Sequence, residues 1–264
     1  MELPISIVDA FAHERFRGNP AAVVVVPDWL PRALMQAIAA ENNLSETAFL
    51  RRERDGAFAI RWFSPLTEIA FCGHATLASA HVVAQRALAP FPIVVRAAAV
   101  GELRISRSED GAGFEMDFPN RRPQPVARAP RALLAGLSIA PEQVLRNEQA
   151  WIAVYAEERQ VREVAPDLER LKALAPLDVA VTAPGERHDF VSRYFWPANG
   201  GAEDPVTGSI HAALAPYWAA RLGRDELVAL QASARTGLLR CRVDGGRVHV
   251  AGGTVQYLQG HIEI

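Results

Sequence analysis

The sequence predicts an α+β fold made of two similar halves, each consisting mostly of strands around one prominent helix. Three observations support this prediction. A polar turn that leads into an apolar helix occurs twice, with Gly73 and Gly208 at matching places 135 positions apart. The strand content exceeds that of a doubly wound parallel sheet. The sequence also lacks the glycine-rich fingerprints of dinucleotide-binding and phosphate-binding folds.

The composition of the chain is that of a globular protein with a sizeable core. Of its 264 residues, 50% are hydrophobic and 22% are charged, and the net charge is -2. Acids and bases are interspersed, so nothing favours nucleic acid or an anionic membrane as a partner. No apolar run could cross a bilayer, the start does not resemble a signal peptide, and two cysteines cannot build a disulfide framework. We therefore expect a cytoplasmic protein with reduced thiols, either an enzyme or a binding protein of the same fold.

The N-terminal half, residues 1–118, is predicted to contain two helices. Pro31 suits a first helical position, and Leu34 and Ile38 have helical spacing, so a helix is expected from there to Asn42. The first repeat helix is predicted over 73–88. Alternating or β-branched runs predict strands at 5–10, 21–26, 58–63, 93–95, 103–106 and 114–118, and the segment 44–50 is predicted to be a polar turn that runs into a strand.

The C-terminal half, residues 119–264, begins with a segment rich in proline and arginine that is predicted to be a linker, residues 119–130. The turn Asp244-Gly245-Gly246 is a hairpin signal. Helices are predicted over 141–145, 166–174 and 208–222. Strands are predicted over 151–155, 179–182, 189–196, 238–243, 247–250, 255–258 and 261–264. The last strand could pair back with the N-terminal half.

The repeated turn is the part of the sequence where chemistry is expected. A helix N-terminus leaves backbone N–H groups unpaired and carries a partial positive charge, so it can hold a carboxylate or a developing enolate oxygen. Gly73 and Gly208 stand where the two helices are predicted to begin, and glycine lets a ligand approach the backbone closely. If the halves pack about a pseudo-twofold axis, both helix starts can point into one cleft. That arrangement suits removal of a proton next to a carboxylate.

Such a reaction needs a base, and the sequence offers candidates near the repeated turn. Glu46 lies in a turn ahead of a predicted strand, and His74 and Asp204 stand at the two helix starts. Each also has an ordinary structural interpretation. Glu46 could be a surface charge, His74 a capping or core histidine, and Asp204 or Ser209 a helix cap. The coincidence at matched repeat positions favours the functional interpretation.

Two other kinds of site are disfavoured. His74 and His81 are seven positions apart on one helix, but no second carboxylate or histidine completes a set of three metal ligands, so no metal site is predicted. Ser209 does not lie in the G-x-S-x-G turn of a serine hydrolase.

These segments resemble the PhzF family, the phenazine-biosynthesis-type isomerases of the diaminopimelate-epimerase-like fold. The matching segments occur in order along nearly the whole chain. They are DAFA at 9–12, FRGNPAAV at 16–23, NLSETAF at 43–49, WFSP at 62–65, CGHAT at 72–76, EDPVTGS at 203–209 and PYW at 216–218.

The resemblance implies two similar domains, each a sheet curled around a central helix, with the active site in the cleft between them. It implies an isomerase that shifts a proton on a small, carboxylate-bearing, cyclic or conjugated substrate. The best characterised member of the family isomerises dihydrohydroxyanthranilate. The resemblance also implies that the protein uses no metal and no organic cofactor and forms a homodimer.

Motif matching transfers the functional residues of the family to this sequence. Glu46 falls on the acid/base glutamate that moves the proton. The residues that hold the substrate and assist the transfer match His74, Asp204 and Ser209. Substrate binding is assigned to Gly73, Gly208, Asn19 and Arg235.

Two features depart from the resemblance. Thr236 follows Arg235 where the family usually has a glycine, which could alter a subsite around Arg235. Epimerases and racemases of this fold use two opposed cysteines, one from each helix start. Cys72 stands near the first such place, but the second turn has no thiol, and Cys241 lies in a predicted hairpin strand. A two-thiol epimerase or racemase is therefore only an alternative, as is a protein that binds a small acid without catalysis.

Overall fold

The computed structural model describes residues 1–109 and 111–264. The strands are β1 Glu2–Ala10, β2 Asn19–Val26, β3 Glu46–Arg52, β4 Phe58–Phe63, β5 Glu68–Ile69, β6 Ile93–Ala97, β7 Gly101–Arg107, β8 Gly113–Pro119, β9 Gln124–Pro125, β10 Gln143–Arg146, β11 Ala150–Val154, β12 Asp178–Pro184, β13 Phe190–Phe195, β14 Glu226–Gln231, β15 Gly237–Asp244 and β16 Arg247–Glu263. The α-helices are α1 Arg32–Asn42, α2 Gly73–Gln85, α3 Arg131–Gly136, α4 Glu158–Glu163, α5 Leu168–Leu171 and α6 His211–Leu222. Short 3₁₀ turns occupy Lys172–Leu174 and Pro197–Asn199.

The chain divides into two compact units. Unit 1 comprises Met1–Asp117 and Ala251–Ile264, and unit 2 comprises Phe118–Val250. Each unit is a curled, mixed sheet with one long buried helix packed against it, which confirms the predicted α+β class. Among the described residues, no helix has the length and apolar character that crossing a membrane requires.

Unit 1 is a sheet that closes on itself. Its strands follow the order β1, β2, β3, β4, β6, β7, β8 and β16, and β16 also pairs antiparallel with β1 from Glu2↔Glu263 to Ala10↔Thr254. Helix α2 packs against β1, β2 and β3. Its sequence, GHATLASAHVVAQ, is mostly small and apolar on every side, so the helix can be buried all round, and only one residue between Gly73 and Val83 is not buried.

The outer face of the unit 1 sheet is covered by α1. Met35, Ile38 and Ala39 of this amphipathic helix are buried, and they join a core cluster with strand residues such as Val24 and Phe49. The β-branched run of β2 is almost entirely buried because one of its faces meets α1 and the other meets α2.

Unit 2 also combines a mixed sheet with one long buried helix. The strand order is β15, β14, β13, β12, β11, β10 and β9, and the first part of β16 lies beside β15. Helix α6 packs against β14 and β15, and every residue from His211 to Ala219 is buried. Pro216 has no N–H to donate to the carbonyl of Ala212 one turn back, and the backbone N–H of Arg121 binds that carbonyl instead at 3.0 Å.

Several sequence-based element assignments are corrected by the structure. The helix predicted over 141–145 is strand β10, because Val144 and Leu145 are buried and the segment pairs antiparallel with β11. The strands predicted separately over 255–258 and 261–264 belong to one strand, β16, whose pairing with β1 continues through Gly260. Helices α3 and α4 and strand β14 lie where no element was predicted.

The predicted linker is also ordered in part. Residues Gln124–Pro125 form β9, which pairs with β10, and the N–H of Asn120 donates to the carbonyl of Gly246 at 2.9 Å. The hydrogen bond from Arg121 to α6 lies in the same segment. This stretch therefore belongs to the hydrogen-bonded structure of unit 2.

Candidate active site

In unit 1, the candidate site is built where α2 begins. Cys72 is the N-cap residue, and its side chain makes no capping hydrogen bond. The first helical hydrogen bond runs from Thr76 N–H back to the carbonyl of Cys72 at 3.1 Å, and the Thr76 hydroxyl donates to the same oxygen at 2.6 Å. A Cβ atom on Gly73 would meet its nearest neighbours in unit 1, the side chains of Met116 and Phe71, at ordinary distances of 3.7 and 3.8 Å. The need for glycine is thus not set by these neighbours.

Two parallel strands bring polar side chains to this helix start. Asn19 is the first residue of β2 and Glu46 is the first residue of β3, and the two strands pair parallel from Ala21↔Glu46 onward. Their N-terminal ends therefore meet at the same edge of the sheet, next to the start of α2. Asn19, Glu46 and His74 are exposed by only 0%, 6% and 4%.

The three side chains are in contact. His74 Nε2 lies 2.8 Å from Glu46 Oε2, and the Asn19 side-chain amide donates to His74 Nδ1 at 3.0 Å. With this orientation of the amide, the proton of a neutral imidazole is on Nε2, the nitrogen that faces Glu46. The contact with Glu46 does not have hydrogen-bond geometry, and the buried Oε2 atom accepts no hydrogen bond from the described residues. This oxygen can accept a proton from a bound molecule.

Cys72 is a further member of this cluster. Its Sγ atom lies 3.4 Å from His74 Nδ1 and 3.8 Å from Nε2. One donor atom each from Glu46, Cys72 and His74 falls within 4.8 Å of the others, and all three residues are buried. The inference that nothing completes a set of three metal ligands is thereby corrected, because β3 brings Glu46 to a helix from which it is distant in sequence.

His81, the other histidine of α2, has a structural role. Its Nδ1 atom lies 2.8 Å from the Thr254 hydroxyl of β16, and its ring packs edge-on against Phe114. Burial lowers the pKa of His81. It joins the helix to the closing strand of unit 1 and not to the Glu46 cluster.

The position of Asn19 depends on the loop that precedes it. Gly18 has φ +67°, and a Cβ atom there would lie 2.2 Å from the carbonyl oxygen of Ala10. Only glycine fits this close return of the chain onto β1. The buried carboxylate of Asp9 accepts a hydrogen bond from the Phe16 N–H at 3.1 Å and holds the other end of the loop. Asp9 belongs to the matched DAFA segment but was not assigned a role from the sequence.

In unit 2, the turn from Glu203 to Ser209 is tied to its own sheet. Asp204 accepts a 2.5 Å hydrogen bond from the Thr207 hydroxyl, and its N–H donates to the carbonyl of Tyr194. The side chain of Gln231 accepts from the Thr207 N–H at 2.8 Å and donates to the Asp204 carbonyl at 2.9 Å. Gln231 is fully buried and was not identified from the sequence.

The second repeat helix starts later than predicted. Helix α6 begins at His211, whereas Gly208 and Ser209 lie in the turn before it. The N–H groups of His211 and Ala212 bond to the carbonyls of Gly208 and Ser209 at 3.1 and 3.2 Å, three residues back. Such tighter turns are common at helix ends, and this one moves the first regular turn of the helix by three residues.

Ser209 is held by a chain of partly buried polar groups. Gln149 Nε2 donates to Ser209 Oγ at 2.9 Å and to the Tyr194 hydroxyl at 3.1 Å. Tyr194 in turn donates to Asp178 Oδ2 at 2.7 Å. Burial raises the pKa of Asp178 and, together with that carboxylate, raises the pKa of Tyr194 well above its usual value. Because Ser209 accepts from Gln149, its own proton can be donated to another acceptor.

Arg235 lies in the turn between β14 and β15. The Ser233 hydroxyl donates to the carbonyl of Pro205 at 2.7 Å, which fastens this turn to the one that contains Asp204. Thr236 has φ +56°, in the left-handed region that favours glycine. This left-handed conformation explains why the family that the sequence resembles usually has a glycine at this position. Thr236 adopts this left-handed conformation and donates its hydroxyl to the Arg235 carbonyl at 2.7 Å.

Comparisons with known proteins agree along the whole chain. The family model described as phenazine biosynthesis-like protein, PhzC-PhzF, matches residues 8–260. A Pseudomonas aeruginosa protein described as an uncharacterized isomerase is 48% identical over 264 residues and is covered completely, as is this chain. The crystal structure of a PhzF-family phenazine biosynthesis protein from Enterococcus faecalis is 41% identical, with 100% of both chains covered and a TM-score of 0.94. A hydroxyproline epimerase from Agrobacterium vitis, 12% identical with a TM-score of 0.64, covering 99% of this chain and 92% of its own, shares the fold alone.

Proposed function

The chain belongs to the phenazine biosynthesis-like PhzC-PhzF family, and from this premise we propose that it is an isomerase that moves a proton between two atoms of a small carboxylated substrate. A cyclic or conjugated acid suits this reaction, because the electrons that the proton leaves behind must be delocalised. The observation that carries the proposal is the buried Oε2 atom of Glu46, which lies beside His74 and accepts no hydrogen bond from the described residues.

In the proposed reaction, the Glu46 carboxylate removes a proton from a carbon atom of the substrate. The electron pair of the broken C–H bond enters the conjugated system, and negative charge develops on the substrate carboxylate. The uncapped start of α2 supports this step, since helix N-terminal N–H groups stabilise such charge. Glu46 then returns the proton to a second atom of the substrate. The product is an isomer, and neither an electron acceptor nor a second reactant is consumed.

His74 and Asn19 have supporting roles in this proposal. The amide of Asn19 fixes the imidazole by a hydrogen bond to Nδ1, and Nε2 on the other side of the ring faces the Glu46 carboxylate at 2.8 Å. It can hold Glu46 in place while the proton moves. Asp204 and Ser209 keep the roles expected from motif matching, holding the substrate and assisting the transfer. Substrate binding is proposed for Gly73, Gly208 and Arg235. We further propose that the protein works without a cofactor, as a homodimer, in the cytoplasm.

The test is incorporation of solvent deuterium into a conjugated cyclic acid, with dihydrohydroxyanthranilate as the probe. The wild-type protein should exchange a carbon-bound proton, and Glu46→Gln should abolish that exchange while binding of the probe persists. Glu41→Gln is the matched control, because Glu41 is an exposed glutamate of the neighbouring helix α1. Exchange at the wild-type rate in Glu46→Gln would remove Glu46 from its role.

The same measurement separates the alternatives. A protein that only binds small acids would exchange no proton in any variant. An epimerase or racemase is favoured by one observation, the Cys72 thiol 3.4 Å from His74 Nδ1. That chemistry needs the thiol, so full exchange activity in Cys72→Ala would exclude it.

A further inference from the structure

The start of α2 holds three different metal-binding side chains within a small volume. Cys72 supplies a sulfur atom, His74 a ring nitrogen and Glu46 a carboxylate oxygen, and one atom of each lies within 4.8 Å of the others. The three side chains come from two elements that already pack together, because Glu46 begins β3 and the other two residues begin α2. Binding of an ion would therefore need only side-chain movements, because the backbone already brings the three residues together.

Two of the three separations between the candidate ligand atoms are close to those of a zinc site. Zinc binds sulfur at about 2.3 Å and nitrogen or oxygen at about 2.1 Å, so tetrahedral geometry separates sulfur from nitrogen by about 3.6 Å and nitrogen from oxygen by about 3.4 Å. The observed separations are 3.8 Å from Cys72 Sγ to His74 Nε2 and 2.8 Å from that nitrogen to Glu46 Oε2. These two separations differ from the tetrahedral values by about 0.2 and 0.6 Å, and the third, from the sulfur atom to a carboxylate oxygen of Glu46, is at most 4.8 Å.

The charges and the neighbouring groups favour the same kind of ion. A thiolate, a carboxylate and a neutral imidazole carry two negative charges in total, which a divalent ion neutralises in this buried place. Sulfur and imidazole ligands favour zinc over magnesium or calcium. If His74 binds through Nε2, its Nδ1 atom carries the proton, and the Asn19 amide can turn to accept it. Asn19 would then orient the histidine as outer-sphere partners of metal ligands commonly do.

We propose that Glu46, Cys72 and His74 form an inhibitory binding site for Zn²⁺. Binding releases the thiol proton of Cys72 to solvent and leaves a fourth coordination position for water or a substrate carboxylate. The ion binds the carboxylate that is proposed to move the substrate proton. Glu46 therefore cannot hold zinc and transfer a proton at the same time. Inhibition rests on the proposed function, whereas binding of the ion does not.

Binding is tested without any substrate. The full-length protein, freed of metal with a chelator, is titrated with Zn²⁺ in competition with a chromophoric chelator. We expect one tight site per chain, and Cys72→Ser should weaken it by at least about tenfold, with Glu46→Gln acting in the same direction. Co²⁺ in place of Zn²⁺ should give a thiolate-to-cobalt absorption band that Cys72→Ser abolishes, while Mg²⁺ should not compete.

The other cysteine provides the matched control. Cys241 lies in β15 of unit 2, is buried, and has its pKa raised to about 12 by that burial, so Cys241→Ser should leave the zinc affinity unchanged. Circular dichroism verifies that each variant is folded. Absence of a tight site, or equal affinity in the wild type and in both Cys72→Ser and Glu46→Gln, would overturn the proposal. Loss of deuterium exchange on adding Zn²⁺, with recovery on chelation, tests inhibition separately.

Discussion

The two repeated turns share a frame but differ in the groups that they present. In unit 1, Arg61 binds both oxygens of Glu68, at 2.6 and 2.8 Å, and in unit 2 Arg193 does the same with Glu203, at 2.8 and 2.9 Å. In each unit, the residue three positions after the glycine uses its side chain to bind the backbone carbonyl of the residue just before the glycine. This residue is Thr76 in unit 1 and His211 in unit 2.

The difference lies at the helix starts. Helix α2 begins at Gly73 itself, with an N-cap side chain that makes no capping hydrogen bond, and it is surrounded by titratable groups. In unit 2 the regular helix begins three residues after Gly208, and the Thr207 N–H is already bound by Gln231. The duplicated frame is therefore structural, while the groups at the two helix starts differ: a buried glutamate, cysteine and histidine meet in unit 1, whereas in unit 2 the direct partner of Ser209 is the neutral amide of Gln149 and the nearby carboxylate of Asp204 is bound by Thr207.

The largest effect should come from removing the base of unit 1. Glu46→Gln keeps the shape of the side chain but cannot accept the substrate proton, so kcat should fall by about 10³-fold. Ser209→Ala in unit 2 removes only a hydrogen-bonding group, and about a tenfold loss is expected. Turnover of dihydrohydroxyanthranilate by the two variants measures the contrast, and equal losses would contradict the division of roles.

The next effect concerns pH and follows from His211, the counterpart of Thr76. Complete burial lowers the pKa of His211 to about 4, whereas an unfolded histidine has a pKa of about 6.5. Unfolding therefore takes up a proton between these values, and the free energy of unfolding should fall by about 3 kcal/mol as the pH drops from about 6.5 to 4. The loss begins as the pH falls below the unfolded value and is complete at the folded one.

Replacing His211 by threonine, the residue at the matching position of unit 1, tests whether His211 causes this pH dependence. His211→Thr should lower stability at neutral pH, because the ring packs at 5.8 Å from that of Phe190, but it should flatten the fall on acidification. Urea unfolding at a series of pH values measures both. An unchanged slope in His211→Thr would assign the acid sensitivity to other groups.

The arginines of the shared frame should differ in their contribution to stability. The Arg193 side chain is 13% exposed and also donates to three backbone carbonyls at the end of α4, of which Val164 is the nearest at 2.8 Å. Arg61 is 28% exposed, and without it the Glu68 carboxylate would still form an ion pair with a second arginine, Arg32. Arg193→Met should therefore lower the free energy of unfolding by about 3 kcal/mol and Arg61→Met by about 1 kcal/mol. Urea titration gives the ranking, and the reverse order would contradict it.

The smallest effect is expected from Gln149, which touches Ser209 and no predicted base. Gln149→Leu should reduce kcat/KM by up to about tenfold, because the Ser209 hydroxyl loses the donor that orients it. A positioning role predicts that Gln149→Leu adds little to the loss already caused by Ser209→Ala. Tyr194→Phe, which keeps the Gln149–Ser209 hydrogen bond, is the control. Additive losses in the double variant would mean that Gln149 acts independently of Ser209.

Local patterns predicted much of the fold but not the hydrogen bonds that complete the two turns. The repeat around Gly73 and Gly208 identified both central helices, because burial all round leaves an unmistakable run of small apolar residues. The segment 141–145 was mistaken for a helix, since its strand state depends on pairing with β11, which no local pattern records.

The candidate site was predictable to a similar extent. Motif matching named Asn19, Glu46 and His74, and the structure brings these three together, but the proximity of Cys72 sulfur to the imidazole is a matter of side-chain geometry. Neither Gln149 nor Gln231 was assigned a role from the sequence, because hydrogen bonds between distant segments leave no local pattern. Their roles arise from strands that pair far from the turns they support.

The bond from Arg121 to α6 has a consequence for the dynamics of unit 2. Because Pro216 has no N–H, the carbonyl of Ala212 receives its hydrogen bond from Arg121 near the start of unit 2. The central helix and the first residues of the unit therefore form one cooperative structure. The amide hydrogen of Arg121 should therefore exchange with solvent as slowly as those within α6, although it lies in a segment with the composition of a loop. Hydrogen exchange followed by mass spectrometry would show protection at this position, and Pro216→Ala would release it, because the helix could then complete its own ladder.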